Sequence, residues 1–257
     1  MEPIAVSIIF YASVIAFCEL SRQIVQQFTV EGSLSRKFYL EVIGTAQVVT
    51  CVYENGLMTK HYGIFPGFFF TVVSLLITHA FLNRGALVTP CASIEKTVLG
   101  QINLPTFLVL FAAELLGGYM AFRVAKPLWW LELSAEHGAQ YRNFSCEVAF
   151  KVPFLMVCAY EVVGNFILRY VGGSVPLRMK PFVGAFLTAT LLSLEAKFVG
   201  PPGLNPIISA GRLLGCRGLT RQTHLLTHWI SPLTGWLFAA WLHTTKKPVA
   251  EEKKKEK

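Results

Sequence analysis

Two short stretches pair a helix-capping side chain with a proline: Thr89-Pro90-Cys91 and Asn205-Pro206-Ile207. Proline suits the first turn of a helix, where its missing N–H would have had no partner. Asparagine, and less strongly threonine, caps that turn with a side-chain oxygen. Each stretch therefore reads as a helix start, and a helix start carries partial positive charge. Two such ends brought face to face repel cations and protons, while the Asn205 amide and the Thr89 hydroxyl orient a neutral polar molecule. This is the chemistry of permeation. The plainer reading of either stretch alone is a proline-started helix at a surface. Two at matched positions favour the pore.

The matching rests on a weak internal repeat. Leu40-Glu41-Val42-Ile43-Gly44-Thr45 and Tyr160-Glu161-Val162-Val163-Gly164-Asn165 each lie in an apolar segment. After each come one more apolar segment and then the proline stretch, at nearly the same spacing. A carboxylate inside such a segment marks a functional position by default. With three segments and one half-helix per copy, the second copy must be inverted in the membrane, an arrangement of transport proteins.

The elements that hold these residues are built for lipid. The chain of 257 residues is 53% hydrophobic and only 15% charged. Soluble domains carry about 25% charged residues. A bilayer core needs about 20 apolar residues as helix. Seven segments qualify, near 4–28, 38–58, 65–83, 104–125, 148–171, 181–199 and 225–243. Residues 84–100 and 200–216 are too apolar and too rich in Gly and Pro for ordinary loops. Each reads as a half-helix dipping into the membrane, where irregular backbone is tolerated only if it lines a cavity or is buried in protein. The expected organisation is an N-terminal hydrophobic helix and linker over 1–37, a channel domain over 38–243 with halves near 38–125 and 148–243, and a basic tail over 244–257.

The net charge of +8 reflects cytoplasmic flanks and the tail rather than a nucleic-acid partner. Arg22, Arg36, Lys37, Arg84, Lys96, Arg169, Arg178 and Lys180 fall on one side. Lys60, Lys126, Arg142, Arg212, Arg217 and Arg221 fall on the other. The positive-inside rule then puts the C-terminus in the cytoplasm. The segment 4–28 is read as spanning, with an interfacial helix as the alternative, and no cleavable leader is expected. The six cysteines form no CxxC pair, and no cofactor or metal is expected.

The pattern resembles the aquaporins. Those proteins are similar in six spans, an inverted repeat and two Asn-Pro-Ala boxes, with a Glu in the first helix of each half that ties down half-helix backbone. The resemblance covers residues 38–243 and gives Glu41 and Glu161 that anchoring role. Ala113-Glu114-Leu115-Leu116-Gly117-Gly118 resembles the family's third helix, and Trp229, Pro232 and Gly235 its last. The altered boxes resemble the divergent intracellular branch called superaquaporins. So do the extra N-terminal segment and Cys216, nine residues beyond Ile207. The resemblance implies an all-α six-helix bundle with two re-entrant half-helices, plus the extra N-terminal helix, and a homotetramer. It also implies an outer constriction at Phe69, Ser193, Pro202 and Ile208. Ile208 stands where water-selective relatives carry Arg, so the constriction should be more apolar and the selectivity looser.

The remaining residues carry weaker signals. Asn143-Phe144-Ser145 is a glycosylation sequon on the lumenal side. Cys146 and Cys216 share that side and are read as free thiols, with a disulfide as the alternative. Glu195 and Lys197 read as snorkelling near a helix end, and His79 as a core histidine. Lys254 and Lys255 resemble a dilysine retrieval signal for the endoplasmic reticulum membrane; the plasma membrane is the alternative location. The expected function is a passive channel for water and small neutral solutes such as glycerol and hydrogen peroxide. The rivals are a weakly or non-conducting protein of the same fold with a structural or homeostatic role, and a seven-helix receptor with continuous helices. No nucleophile–base or metal-ligand constellation speaks for an enzyme.

Overall fold

Apolar runs without internal breaks fold as long helices, because every backbone N–H and C=O must be satisfied within the segment in lipid. In the computed structural model, five helical stretches among the described residues are long and apolar enough to cross a bilayer: Pro3–Phe28, Leu34–Leu82, Leu104–Trp130, Phe154–Ser174 and Leu177–Phe198. The structure describes residues 1–246. The remainder of the tail, including Lys254 and Lys255, lies outside the described residues.

Helix α1 covers Pro3–Phe28 and α2 Leu34–Tyr62; a π-helical turn at Gly63–Phe69 leads into α3, Phe70–Leu82. The short α4 is Pro90–Val98, followed by α5 at Leu104–Trp130 and a surface helix α6 at Ala135–Asn143. The second half runs α7 at Phe154–Ser174, α8 at Lys180–Phe198 and the short α9 at Pro206–Leu213. It closes with α10 at Arg221–Leu225 and α11 at Ser231–Lys246, joined by the π-helical turn Leu226–Ile230. Among the described residues the only β pairing is the isolated bridge between Glu147 and Arg217.

The two halves repeat in packing as well as in order. Helix α2 packs against α5, and α7 packs against α11. Both contacts need glycine. A Cβ on Gly117 of α5 would come within 2.7 Å of Thr45 Cβ and the Val42 carbonyl oxygen of α2. One on Gly235 of α11 would reach 2.0 Å from the Val162 carbonyl of α7. Close backbone approach of this kind supplies the dispersion contact that drives helix association where lipid removes the hydrophobic difference.

Several boundaries differ from the sequence-based expectation: α5 runs on to Trp130, and the segment expected at 225–243 is divided between α10, the π-helical turn and α11. Helix α7 starts at Phe154, because residues 148–151 are tied to other segments instead of continuing the helix. There Val148 N–H donates to Arg217 O at 2.8 Å, and Lys151 N–H to Val199 O at 2.7 Å. Helix α2 starts at Leu34, where the Ser33 hydroxyl accepts the Arg36 N–H. Helix α1, about 39 Å long at 1.5 Å per residue, lies along α2 and buries Val6, Phe10, Val14 and Cys18.

Candidate pore

Helices α4 and α9 start at Pro90 and Pro206, and the residues just before each proline are held by carboxylates from the first helix of each half. Glu41 of α2 accepts the backbone N–H groups of Leu87, at 2.9 Å, and Val88. Glu161 of α7 accepts the N–H of Leu204 at 2.9 Å. Its other oxygen meets His228 Nδ1, also at 2.9 Å. The N–H of Gly203 goes to Glu195 of α8 at 3.0 Å. Val88 and Leu204 both sit at left-handed φ, 58° and 60°. That conformation costs a bulky residue roughly 1–3 kcal/mol, and the buried carboxylates fix it by claiming the N–H groups it turns toward them.

The two half-helix starts meet. The Asn205 side chain accepts the N–H of Ile207 at 3.0 Å and of Ile208 at 3.4 Å. Its amide nitrogen donates to Val88 O at 2.8 Å. Asn205 thus caps its own helix and grips the loop of the other half. Thr89 does not match it: no side-chain cap hydrogen bond forms at α4, and the Thr89 hydroxyl sits by the Cys91 thiol instead. Pro90, Cys91, Pro206 and Ile207 are buried behind the junction.

A cavity of about 220 Å³ lies against this junction, lined there by Val88, Thr89, Leu204 and Asn205. Gln47, Cys51 and Asn55 of α2 line it, as do His79, Thr188 and Leu192. Pro202 and Ile208 are on the wall; Phe69 and Ser193 are not. Phe68 lines it instead, while Phe69 packs against Phe70 and Phe186 with ring centroids 5.3 and 6.2 Å away. The π-helical turn adds a residue to the helix and so shifts the phase of every residue after it. Ser193 shares the buried face of α8 with Ala185 and Ala189, one position round from the cavity face of Thr188 and Leu192.

No family model matches the chain. It is 36% identical over 245 residues to the putative aquaporin-10 of Caenorhabditis elegans, covering 93% of this chain and 86% of that one. The chain belongs to the aquaporin family. Aquaporin-11 of Milnesium tardigradum is 25% identical, with 91% and 85% covered. The putative human aquaporin-12A is 28% identical, with 96% and 82% covered. These relatives put the chain in the divergent branch. Among solved structures, the aquaglyceroporin of Plasmodium falciparum matches in fold with a TM-score of 0.62 at 17% identity, over 85% of this chain and 98% of that one.

An aquaporin fold explains residues that the sequence left open. Glu195 does not snorkel: it is fully buried and completes the loop anchoring that Glu161 begins. His228 is fully buried against Glu161. Glu114 lies buried near Ser93 and Glu41 rather than on the cavity wall. His79 lines the cavity with Nδ1 unpaired. Arg212, expected from the sequence at a membrane flank, lines the cavity one helical turn beyond Ile208. The i, i+4 spacing on a helix that starts at Pro206 was the available signal. Cys146 and Cys216 form a disulfide, with Cα atoms 4.8 Å apart, instead of remaining free thiols. It fastens the 146–151 strap to the chain after α9. Asn143, the last residue of α6, is exposed.

Proposed function

We propose that this chain is a passive channel for water and small neutral solutes, glycerol and hydrogen peroxide included. The observation that carries the proposal is the Asn205–Val88 hydrogen bond at 2.8 Å, which joins two half-helix starts beside a cavity. Both ends direct partial positive charge at that point, so a neutral molecule is favoured over a cation. Thr89, Pro90, Cys91, Asn205, Pro206 and Ile207 form the pore box in this reading. Glu41 and Glu161 anchor it, and Pro202 and Ile208 belong to the outer constriction. The apolar Ile208 widens the range of solutes beyond water.

A second reading has its own observation. Phe68, Val72, Leu75, Leu76, Leu192 and Ile208 leave part of the cavity wall apolar. Apolar constrictions close by losing water. On this reading the protein conducts weakly and serves the membrane in a structural or homeostatic role.

Stopped-flow light scattering on proteoliposomes separates them. The channel reading expects water and glycerol flux above that of empty liposomes, abolished in Asn205→Asp, with a peroxide probe reporting the third solute. Folded protein that moves no solute faster than empty liposomes overturns it in favour of the second.

Assembly as a homotetramer is proposed from the family resemblance. Residence in the endoplasmic reticulum membrane with a cytoplasmic C-terminus is proposed from the basic flanks and Lys254-Lys255. Surface against internal labelling of a tagged tail tests both location and orientation.

A further inference from the structure

The helix that the bundle does not need for closure is α1, and its buried face is polar at both ends. Ser7, Tyr11, Cys18 and Arg22 succeed one another at spacings that keep them on one side of the helix. Ser7 Oγ donates to Glu54 of α2. Glu54 is fully buried and also takes the Trp129 indole N–H and a His137 ring nitrogen, both at 2.8 Å. This knot fixes the start of α1 to α2, α5 and α6. A buried polar seam sets helix register in lipid, where apolar faces alone have no preferred partner.

The other two contacts reach residues of the cavity wall. Tyr11 OH donates to Asn55 Oδ1 at 2.8 Å, and Arg22 Nη2 donates to Gln47 Oε1 at 2.7 Å. Arg22 is fully buried. A guanidinium only donates, so Gln47 must turn its oxygen toward α1. Tyr11 occupies the Asn55 oxygen in the same way. The NH₂ group of each amide remains for the cavity. Among the described residues neither nitrogen has a protein partner, and neither is sealed from accessible space, although Gln47 and Asn55 are only 3% and 2% exposed. Both residues line the cavity, with Cys51 one turn from each.

We propose that α1 is a specificity-setting element, in which Arg22 and Tyr11 hold the Gln47 and Asn55 amides so that the α2 wall presents N–H donors to the oxygens of a permeating solute. The inference rests on the channel reading. Arg22 and Tyr11 are positioning residues; Gln47 and Asn55 touch the solute. A hydroxylated solute such as glycerol gives up more water hydrogen bonds on entry than water does, and depends more on donors waiting in the wall.

The test is the glycerol-to-water flux ratio in proteoliposomes. Gln47→Glu keeps an acceptor for Arg22 but offers the cavity no N–H. Arg22→Met releases the Gln47 amide, and Arg22→Lys keeps a donor on it. One net hydrogen bond is worth about 1 kcal/mol, so the ratio should fall roughly fivefold in Gln47→Glu and in Arg22→Met. It should stay near wild type in Arg22→Lys, and adding Gln47→Met to Arg22→Met should cost no more than Gln47→Met alone. If Arg22→Met does not fold, Gln47→Glu still decides. A wild-type ratio in folded Gln47→Glu overturns the inference and leaves the channel reading intact. A wild-type protein without flux overturns both.

Discussion

Asn205 of the second half donates its side-chain amide to the backbone carbonyl of Val88 in the first half, at 2.8 Å. The contact joins two loops that lie far apart in sequence, one tied to Glu41 and the other to Glu161 and Glu195. Neither half-helix start is therefore positioned by its own half alone.

Replacing Asn205 by Ala should remove the α9 cap and the link to Val88 together. Loss of an N-cap costs about 1 kcal/mol, and the second bond adds a similar amount. Thermal unfolding in detergent checks the stability loss, and stopped-flow scattering should show the water flux falling with it.

Glu161 and Glu41 should differ in how much they matter. Leu at 161 leaves the Leu204 N–H and the fully buried His228 without their acceptor; Leu at 41 orphans the N–H groups of Leu87 and Val88. Each unsatisfied buried group costs about 1–3 kcal/mol. Both variants should lose several kcal/mol, and Glu161→Leu more, since Leu204 and His228 are both buried whereas Leu87 is only half-buried. Comparing their denaturation midpoints in one detergent tests the order.

Arg212 supplies a fixed cation where Ile208 does not. Tyr53, Glu195 and His228 are the ionisable groups near it. A unit charge about 5 Å away at an effective dielectric of 20 is worth roughly 3 kcal/mol. Arg212→Ala should keep water flux and raise cation or proton leak by at least about tenfold. Ionic current across planar bilayers measures it, and an unchanged leak would show that the half-helix ends exclude cations alone.

The Cys146–Cys216 disulfide closes a long loop around α7, α8 and α9. Such a bond contributes about 2–4 kcal/mol. Cys216→Ser and Cys146→Ser should each lower the unfolding midpoint, and the double variant should add little to either. Reductant should lower the wild type alone.

Much of the site was legible in the chain because its residues obey local rules. Asn205-Pro206 and Thr89-Pro90 announce helix starts by cap and ring chemistry, and Glu41 and Glu161 stand out as carboxylates among apolar neighbours. Their nearly equal spacing to the prolines marked the repeat. Thr89 was the partial exception: threonine can cap, but here its side chain makes no cap hydrogen bond to α4. Phe68 rather than Phe69 lines the cavity, within a π-helical turn whose extra residue leaves no trace in hydrophobic pattern.

The amino-acid order alone pointed to the membrane class, the repeat and the two half-helices, which stem from apolar length, capping chemistry and spacing along the chain, and its motifs to the family. Packing across the bundle decided the rest. It turned Glu195 inward to the Gly203 N–H, closed Cys146 on Cys216, aimed Arg212 at the cavity and set Arg22 against Gln47. Each of these depends on which face of one helix meets another, a relation between segments remote in sequence. Helical period limits that relation, but only the close approach of the helices selects it.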